Sequence, residues 1–442
     1  MAFSQDFCSK SELDLFTQPR VQFSLEEDYV ISSGPTDPNS SSLEFILPKS
    51  SDDYTDLTKC FLKIRGKLTK KDGSPPVHYG TPGTNGVIPD GDDVSVVPVN
   101  LILHSLWKQV DLYLNDDAVC SEGDYPYKSY FTALLSYSDE VKDTWLRDLE
   151  GWRTDEPGKF SEEKNTAQEW ASQYLVNNGK EFELMGRPNL DLIMQPRLIP
   201  NNVKIRMVFT RASEEFCIMS HVDGEEYKIK ILSATLSVRR CKINPEEQLK
   251  MERQIANTGA VYPVQSVIMK NITIPSGSNS FTVESVFSNG EIPPRLFIAQ
   301  VANKAFVGHL EKNPFEFVHN NIIDASVSYD GQTFSYDFDF PNNTRREAYL
   351  RFLEIMGNYP CNTSSGLSYD DWERGNFIIA WDLCADQSYL GDFVSRRRLG
   401  NISMKLRWSR ALADHTTLLI VGLYENSYFM SVNRTFSKTL VQ

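Results

Sequence analysis

Gln109-Val110-Asp111-Leu112-Tyr113-Leu114 runs into Asn115-Asp116, and residues 125–137 then place Tyr127, Tyr130, Phe131, Leu134 and Leu135 at helical spacing. The first piece is a short strand pattern, the dipeptide a turn signal, and the last an aromatic helix. The same order returns later in the chain. Residues 324–329 form a strand pattern, Asp330-Gly331 a turn, and residues 345–356 a helix carrying Tyr349, Leu350, Phe352, Leu353 and Met356. A second echo follows each. Asn189-Leu190-Asp191-Leu192 precedes Lys204-Ile205-Arg206 and Arg211-Ala212; Ala380-Trp381-Asp382-Leu383 precedes Lys405-Leu406-Arg407 and Arg410-Ala411. The spacings are similar, not equal. Taken together they predict duplicated β-domains, residues 1–243 and 244–442, joined between Cys241 and Asn257. Each half suits an eight-stranded sandwich with inserted loops and helices.

The rest of the chain supports an all-β reading. Leu62, Ile64 and Leu68 alternate with Lys63, Arg65 and Lys67; Val203, Ile205, Met207 and Phe209 with Lys204 and Arg206; Phe334, Tyr336, Phe338 and Phe340 with Ser335, Asp337 and Asp339; Met404, Leu406 and Trp408 with Lys405 and Arg407. Period-2 patterns of this kind predict strands with one face buried. Turn dipeptides separate them, among them Asp72-Gly73, Asn85-Gly86, Asp90-Gly91, Asp223-Gly224 and Asn289-Gly290. Residues 34–42 and 74–93 read as long exposed loops. Two further helices are predicted. Ser138 is a candidate N-cap, with Val141, Trp145, Leu146 and Leu149 as the apolar stripe behind it. Asn244-Pro245 opens a helix over residues 244–255.

The chain has 442 residues, 40% of them hydrophobic, and a net charge of −14. That composition predicts a folded protein of two domains or one large β-architecture. The acid excess argues against direct nucleic-acid binding by the chain as a whole, because phosphate recognition needs clustered Lys and Arg. No apolar run reaches the ~18 residues a membrane span needs, and the first residues lack the basic-then-apolar pattern of a secretory signal. The seven Cys are scattered without a CxxC pair, which predicts reduced thiols.

Catalytic constellations are not evident. The six His show no zinc spacing, and there is no phosphate-binding glycine loop or nucleophile elbow. His104 reads as a packed structural histidine rather than a base. Arg396-Arg397-Arg398 is a basic run that could touch nucleic acid or an acidic neighbouring chain, with a solvated loop as the plainer reading. Asp90 to Asp93 lacks the spaced ligands of a calcium loop, and Trp107, Trp145 and Trp381 read as core rather than sugar platforms. No cofactor and no metal are expected.

Several stretches carry a resemblance. Ser11-Glu12-Leu13-Asp14-Leu15-Phe16, Asp53-Tyr54-Thr55-Asp56-Leu57, Pro98-Val99-Asn100-Leu101-Ile102-Leu103-His104-Ser105-Leu106-Trp107, Gln109 to Asn115, Tyr125-Pro126-Tyr127 and Leu134-Leu135-Ser136-Tyr137 occur in order. Tyr262-Pro263, Ile274-Pro275, Pro294-Arg295-Leu296, Lys312-Asn313-Pro314-Phe315, residues 327–332, Asp382-Leu383 and residues 424–434 continue them. Over nearly its whole length the chain resembles the major capsid protein of Polinton (Maverick) elements and the related adintoviruses, most specifically between His104 and Tyr137. Residues 74–93 and 152–173 fit no part of that pattern.

The resemblance implies a double jelly roll with a few short helices in inserted loops. It implies a non-enzymatic structural protein whose homotrimers have a pseudo-hexagonal outline and tile an icosahedral shell in the virion, assembled inside the host cell alongside a penton or minor capsid protein. His104, Ser105, Leu106, Asn115, Tyr125, Pro126, Tyr127, Leu134, Leu135, Tyr137, Asn313, Pro314 and Phe315 are then structural motif residues. Other readings are a penton or minor capsid protein, or a carbohydrate-binding or carbohydrate-cleaving β-sandwich, which would show paired carboxylates beside an exposed aromatic platform.

Overall fold

Nineteen strands run in chain order through the computed structural model, which describes residues 21–76, 96–162, 175–176, 179–221, 226–287, 290–340, 345–357, 359, 363–384 and 396–439. They are β1 (Leu25–Ser33), β2 (Ser42–Leu47), β3 (Asp53–Lys70), β4 (Val96–Pro98), β5 (Trp107–Leu114), β6 (Asp117–Glu122), β7 (Phe182–Gly186), β8 (Ile205–Arg211), β9 (Ile218–Ser220) and β10 (Tyr227–Ile243), then β11 (Ala260–Ile274), β12 (Ser280–Val283), β13 (Arg295–Ala302), β14 (Ile322–Tyr329), β15 (Gln332–Asp337), β16 (Ile378–Asp382), β17 (Ser403–Trp408), β18 (Thr416–Met430) and β19 (Phe436–Thr439).

The strand order repeats. One set of sheets is β1-β10-β3-β7 and β2-β8-β5-β6; the other is β11-β18-β13-β16 and β12-β17-β14-β15. Matching strands in chain order turns the first pair of sheets into the second. Two four-stranded antiparallel sheets wound in this order, with first and last long strands adjacent, are a jelly roll. The fold is therefore a double jelly roll. The helix Pro245–Thr258 lies between β10 and β11. Asn244 caps it by accepting from Glu246 N at 3.0 Å, Pro245 starts it, and Glu246 and Glu247 sit where the positive dipole end favours acids. Gly259 (φ 71) ends it, where a Cβ would come within 2.5 Å of the Met430 carbonyl oxygen.

The two echoed turns occupy equivalent places. Leu114 pairs with Asp117 around Asn115 (φ 51) and Asp116 (φ 74); Tyr329 pairs with Gln332 around Asp330 (φ 49) and Gly331 (φ 76). Two consecutive left-handed residues make the turn whose twist suits an antiparallel hairpin. The second echo is displaced. Ala380 to Asp382 lie inside β16, whereas Asn189 to Leu192 follow the end of its counterpart β7.

Equivalent sheets are covered unequally. In β3, Cys60, Leu62, Ile64 and Leu68 are buried while Lys59 and Arg65 are exposed and Lys63 and Lys67 half-buried, as the alternation predicts. Its counterpart β13 is buried on both faces from Leu296 to Val301, and β18 from Thr416 to Gly422. Strands covered on both faces read as continuous apolar runs, which these are.

Other expectations need correction. Residues 139–150 do not form one amphipathic helix. Non-helical torsions at Thr144 break the segment into Asp139–Val141, a wider turn at Lys142–Leu146 and Arg147–Glu150. The predicted stripe is split accordingly: Leu146 is buried, but Trp145 and Leu149 are 41% and 45% exposed. Ser138 occupies the N-cap position without a side-chain bond. The aromatic pattern 334–340 holds only in part: Phe338 is buried and Tyr336 and Phe340 are half-buried against the core, with Ser335 and Asp337 exposed. β15 ends at Asp337 and is an edge strand, its Phe334 exposed and stacked on Tyr329. Residues 11–16, most of the 74–93 loop with Asp90 to Asp93, and residues 163–173 lie outside the described residues.

Candidate functional site

The aromatic helix spans Tyr125–Ser136, with Pro126 in its first turn and Tyr137 as the residue that leaves it. It lies in the long connection between β6 and β7 and is buried nearly all round, so it packs against both sets of sheets. Tyr130 stacks on Phe315 at 4.3 Å and Phe131 on Phe317 at 5.2 Å. Tyr127 stacks on Phe306 and meets Phe315 edge-on. The Tyr130 hydroxyl donates to Asn376 Oδ1 at 3.1 Å. Asn313 positions Phe315: its Oδ1 accepts from Phe315 N at 2.9 Å and its Nδ2 donates to the Phe160 carbonyl at 3.2 Å. Motif residues from the two halves of the chain thus meet in one aromatic seam.

His104 lies beneath this helix, 5% exposed. Its Nδ1 is 2.7 Å from the Tyr125 hydroxyl and its Nε2 is 3.0 Å from Glu150 Oε2. The Tyr125 oxygen also accepts from Asn189 N. With the Tyr125 hydroxyl donating to Nδ1, Nε2–H donates to the carboxylate, and both ring nitrogens are engaged. The residue links three segments of the chain. Ser105 donates to the Asn100 carbonyl, and Leu106 is fully buried. Leu134 and Leu135 are buried on the helix. Asn115 reaches across the molecule, its Nδ2 donating to the Arg434 carbonyl at 3.3 Å and its Oδ1 accepting from Lys204 N at 2.9 Å.

Lys128 was not singled out by sequence reasoning. It is 2% exposed, and its Nζ donates to Glu122 Oε1 at 2.7 Å and Asp191 Oδ1 at 2.6 Å. Burial pulls its pKa down, but the two carboxylates outweigh this and hold the ammonium charged. Burial raises the Glu122 pKa, against the pull of Lys128. One signal was available: Lys128 is the only charged residue in a helix otherwise apolar or aromatic around most of its circumference. Lys142 is a second buried cation. It donates to the Leu134 carbonyl at 2.8 Å and to the Ser365 carbonyl, and sits over the Trp152 ring.

The basic run is tied to its own fold. Arg397 pairs with Glu291 at 2.5 Å; Arg398 donates to the Leu383 carbonyl at 2.8 Å and covers the Tyr329 ring. Arg396 is exposed beside them. Burial pushes the Cys60 thiol up to about 12 and the Cys120 thiol up to about 11, which makes both poor nucleophiles. Among the described residues no group of three or more His, Cys, Asp or Glu side chains could hold a metal ion, and no helix is long and apolar enough to cross a membrane.

No protein-family model matches the chain. An uncharacterized protein of Caenorhabditis elegans is 26% identical over 380 residues, covering 83% of this chain and 85% of that protein. Among solved structures, a chain of the Sputnik virophage matches 98% of this chain and 92% of its own length, with a TM-score of 0.65 and 10% identity. The Faustovirus major capsid protein matches 97% of this chain and 92% of its own, with a TM-score of 0.57 and 9% identity. These likenesses show the fold, over nearly the whole length of each chain.

Proposed function

We propose that this chain is a structural major capsid protein of an icosahedral DNA virus or virus-derived element. The observation that carries the reading is the complete jelly-roll strand order, present twice in tandem and coextensive with capsid chains. A penton-type role is less well supported, since one roll suffices there. A sugar-cleaving role is also less well supported: among the described residues, the acids at the seam, Glu150, Glu122 and Asp191, are engaged by His104 and Lys128. The two domains divide between residues 243 and 244, with the Pro245–Thr258 helix as the join. The protein acts without a catalytic step, and three copies form the capsomer. A separate penton or minor capsid protein closes the shell.

Purified, untagged protein measured by light scattering after size exclusion tests this. A species near three times the 50.4 kDa chain mass, with hexagonal outlines by electron microscopy, is the expected result. A strict monomer at micromolar concentration under all assembly conditions would sink the reading.

A further inference from the structure

The hairpin that joins β18 to β19 grips the first roll. Met430 pairs with Phe436 across residues 431–435, and within that turn Arg434 holds a left-handed φ of 59°. Gly and Asn take this torsion more readily than a long side chain does, so an arginine kept there points to a use for its guanidinium. Arg434 Nε donates to the Asn201 carbonyl at 2.8 Å, and Nη2 donates to Asn201 Oδ1 at 2.5 Å and to Glu252 Oε1 at 2.8 Å. The backbone beside it is held too: Asn115 Nδ2 donates to the Arg434 carbonyl, and Phe436 N donates to Asp117 Oδ2 at 2.8 Å. Asn115, Asp117 and Asn201 belong to the first roll, and Glu252 to the helix Pro245–Thr258 between the rolls. One side chain of the second roll thus holds two other bodies.

Little else orients that helix. Ile255 is its one buried side chain, and its Gln248 Nε2 reaches the Asp52 carbonyl only at 3.5 Å. Asn201 is buried, and without the guanidinium its carbonyl and Oδ1 would each lose a partner. Asp117 opens β6, whose other end at Glu122 leads into the seam helix Tyr125–Ser136. The rolls are therefore joined at both ends of β6, by stacked rings at one and by Arg434 at the other. We propose that Arg434 is the pin of a clasp that fixes the helix Pro245–Thr258 and, through it, the angle between the rolls, and that salt opens its helix side. The pair with Glu252 is partly exposed, 19% and 32%. At such a site salt of ~1 M screens charges beyond about 3 Å, whereas the bonds to the neutral Asn201 acceptors are screened less. The clasp rests on the capsid reading only in its consequence, that copies which tile must share one angle between their rolls.

Hydrogen exchange of the full chain, read by mass spectrometry, tests this. Arg434→Gly keeps the torsion and removes the side chain. Residues 199–204 and 245–258 should then exchange about tenfold faster or more, while the seam helix 125–136 keeps its protection. Glu252→Ala should speed residues 245–258 alone. Salt at about 1 M should speed the same residues in the wild type and add nothing in Glu252→Ala. Glu252→Gln, which still accepts a bond, should hold the helix better than alanine does and lose the salt response. Unchanged exchange over 245–258 in Arg434→Gly overturns the clasp, as does an equal rise over 125–136, the sign of general loosening. An equal salt response in the wild type and Glu252→Ala overturns the salt opening. Arg434→Gly should also weaken assembly. Normal assembly with the expected exchange would refute control of the angle and leave the capsid reading standing. A wild-type chain that never assembles sinks the capsid reading, and the exchange pattern still decides the clasp.

Discussion

The ring of Tyr130 lies flat on the ring of Phe315, with 4.3 Å between centroids and 9° between planes. The two residues are far apart in sequence and belong to different rolls, so this stack joins them directly. Phe315 is fully buried and also touches Tyr127 and Phe216. Phe315→Ala should cost about 3–5 kcal/mol, the range for emptying a buried aromatic site. Because the site is shared, both rolls should lose protection together in hydrogen exchange. Loss confined to the second roll would show that the stack does not couple them.

Lys128 neutralises two buried acids. Lys128→Met keeps the length but leaves half-buried Glu122 and buried Asp191 without the cation that bridges them. A loss of about 3–5 kcal/mol is expected from breaking such a group on one side. Adding Glu122→Gln and Asp191→Asn should recover much of it, because the buried charges are then gone. Chemical denaturation of the single and triple variants measures both.

Acid should act on His319. Its ring stacks on Phe340 at 4.1 Å, and its Nδ1 accepts from Asn321 N at 2.9 Å, a bond that requires an unprotonated Nδ1. Burial, and then the Arg345 guanidinium, lower its pKa from 6.5 to about 4. Between those values the unfolded chain binds a proton that the folded chain refuses, so the stabilisation present above pH 6.5 is lost as pH falls towards 4. His319→Gln should flatten that part of the melting-temperature profile. An unchanged slope would rule the residue out.

Alkali should act on Lys142 in the opposite sense. Burial lowers its pKa to about 8, although Asp139, Asp143 and Asp371 pull the other way. Above pH 8 the folded amine is neutral while the unfolded one keeps its proton until near 10.5, so this group's contribution to stability rises with pH across that window. The neutral amine still donates to the Leu134 and Ser365 carbonyls. The melting temperature of the wild type relative to Lys142→Met should therefore increase between pH 7.5 and 10, as read by calorimetry.

Much of the fold was legible before any coordinates. The hairpin turns Asn115-Asp116 and Asp330-Gly331, the cap at Asn244-Pro245, and the alternation in β3, β8 and β17 depend on neighbouring residues only. Local rules therefore reached them. The stripe through Trp145 and Leu149 misled because helical spacing describes one continuous helix, and the break at Thr144 turns those side chains outward. The Phe334 to Phe340 pattern held from Tyr336 to Phe340, which pack against the core, but alternation does not show that the strand starts at an uncovered edge with Phe334 exposed. The seam was partly legible: its motif residues could be named, but nothing local links Phe315 to Tyr130.

By itself the sequence determined that there are two similar β-units, where their hairpins turn and where one helix starts, since each follows from side-chain period, backbone torsion and capping within a few residues. Tertiary structure alone decided the rest. It placed Lys128 between Glu122 and Asp191, bound Arg397 and Arg398 to their own fold, buried β13 on both faces and left the β3 side open. Those outcomes depend on which distant surfaces meet and exclude water. A charge or an aromatic ring has the same local sequence signature whether it ends against solvent, a partner side chain or the other roll.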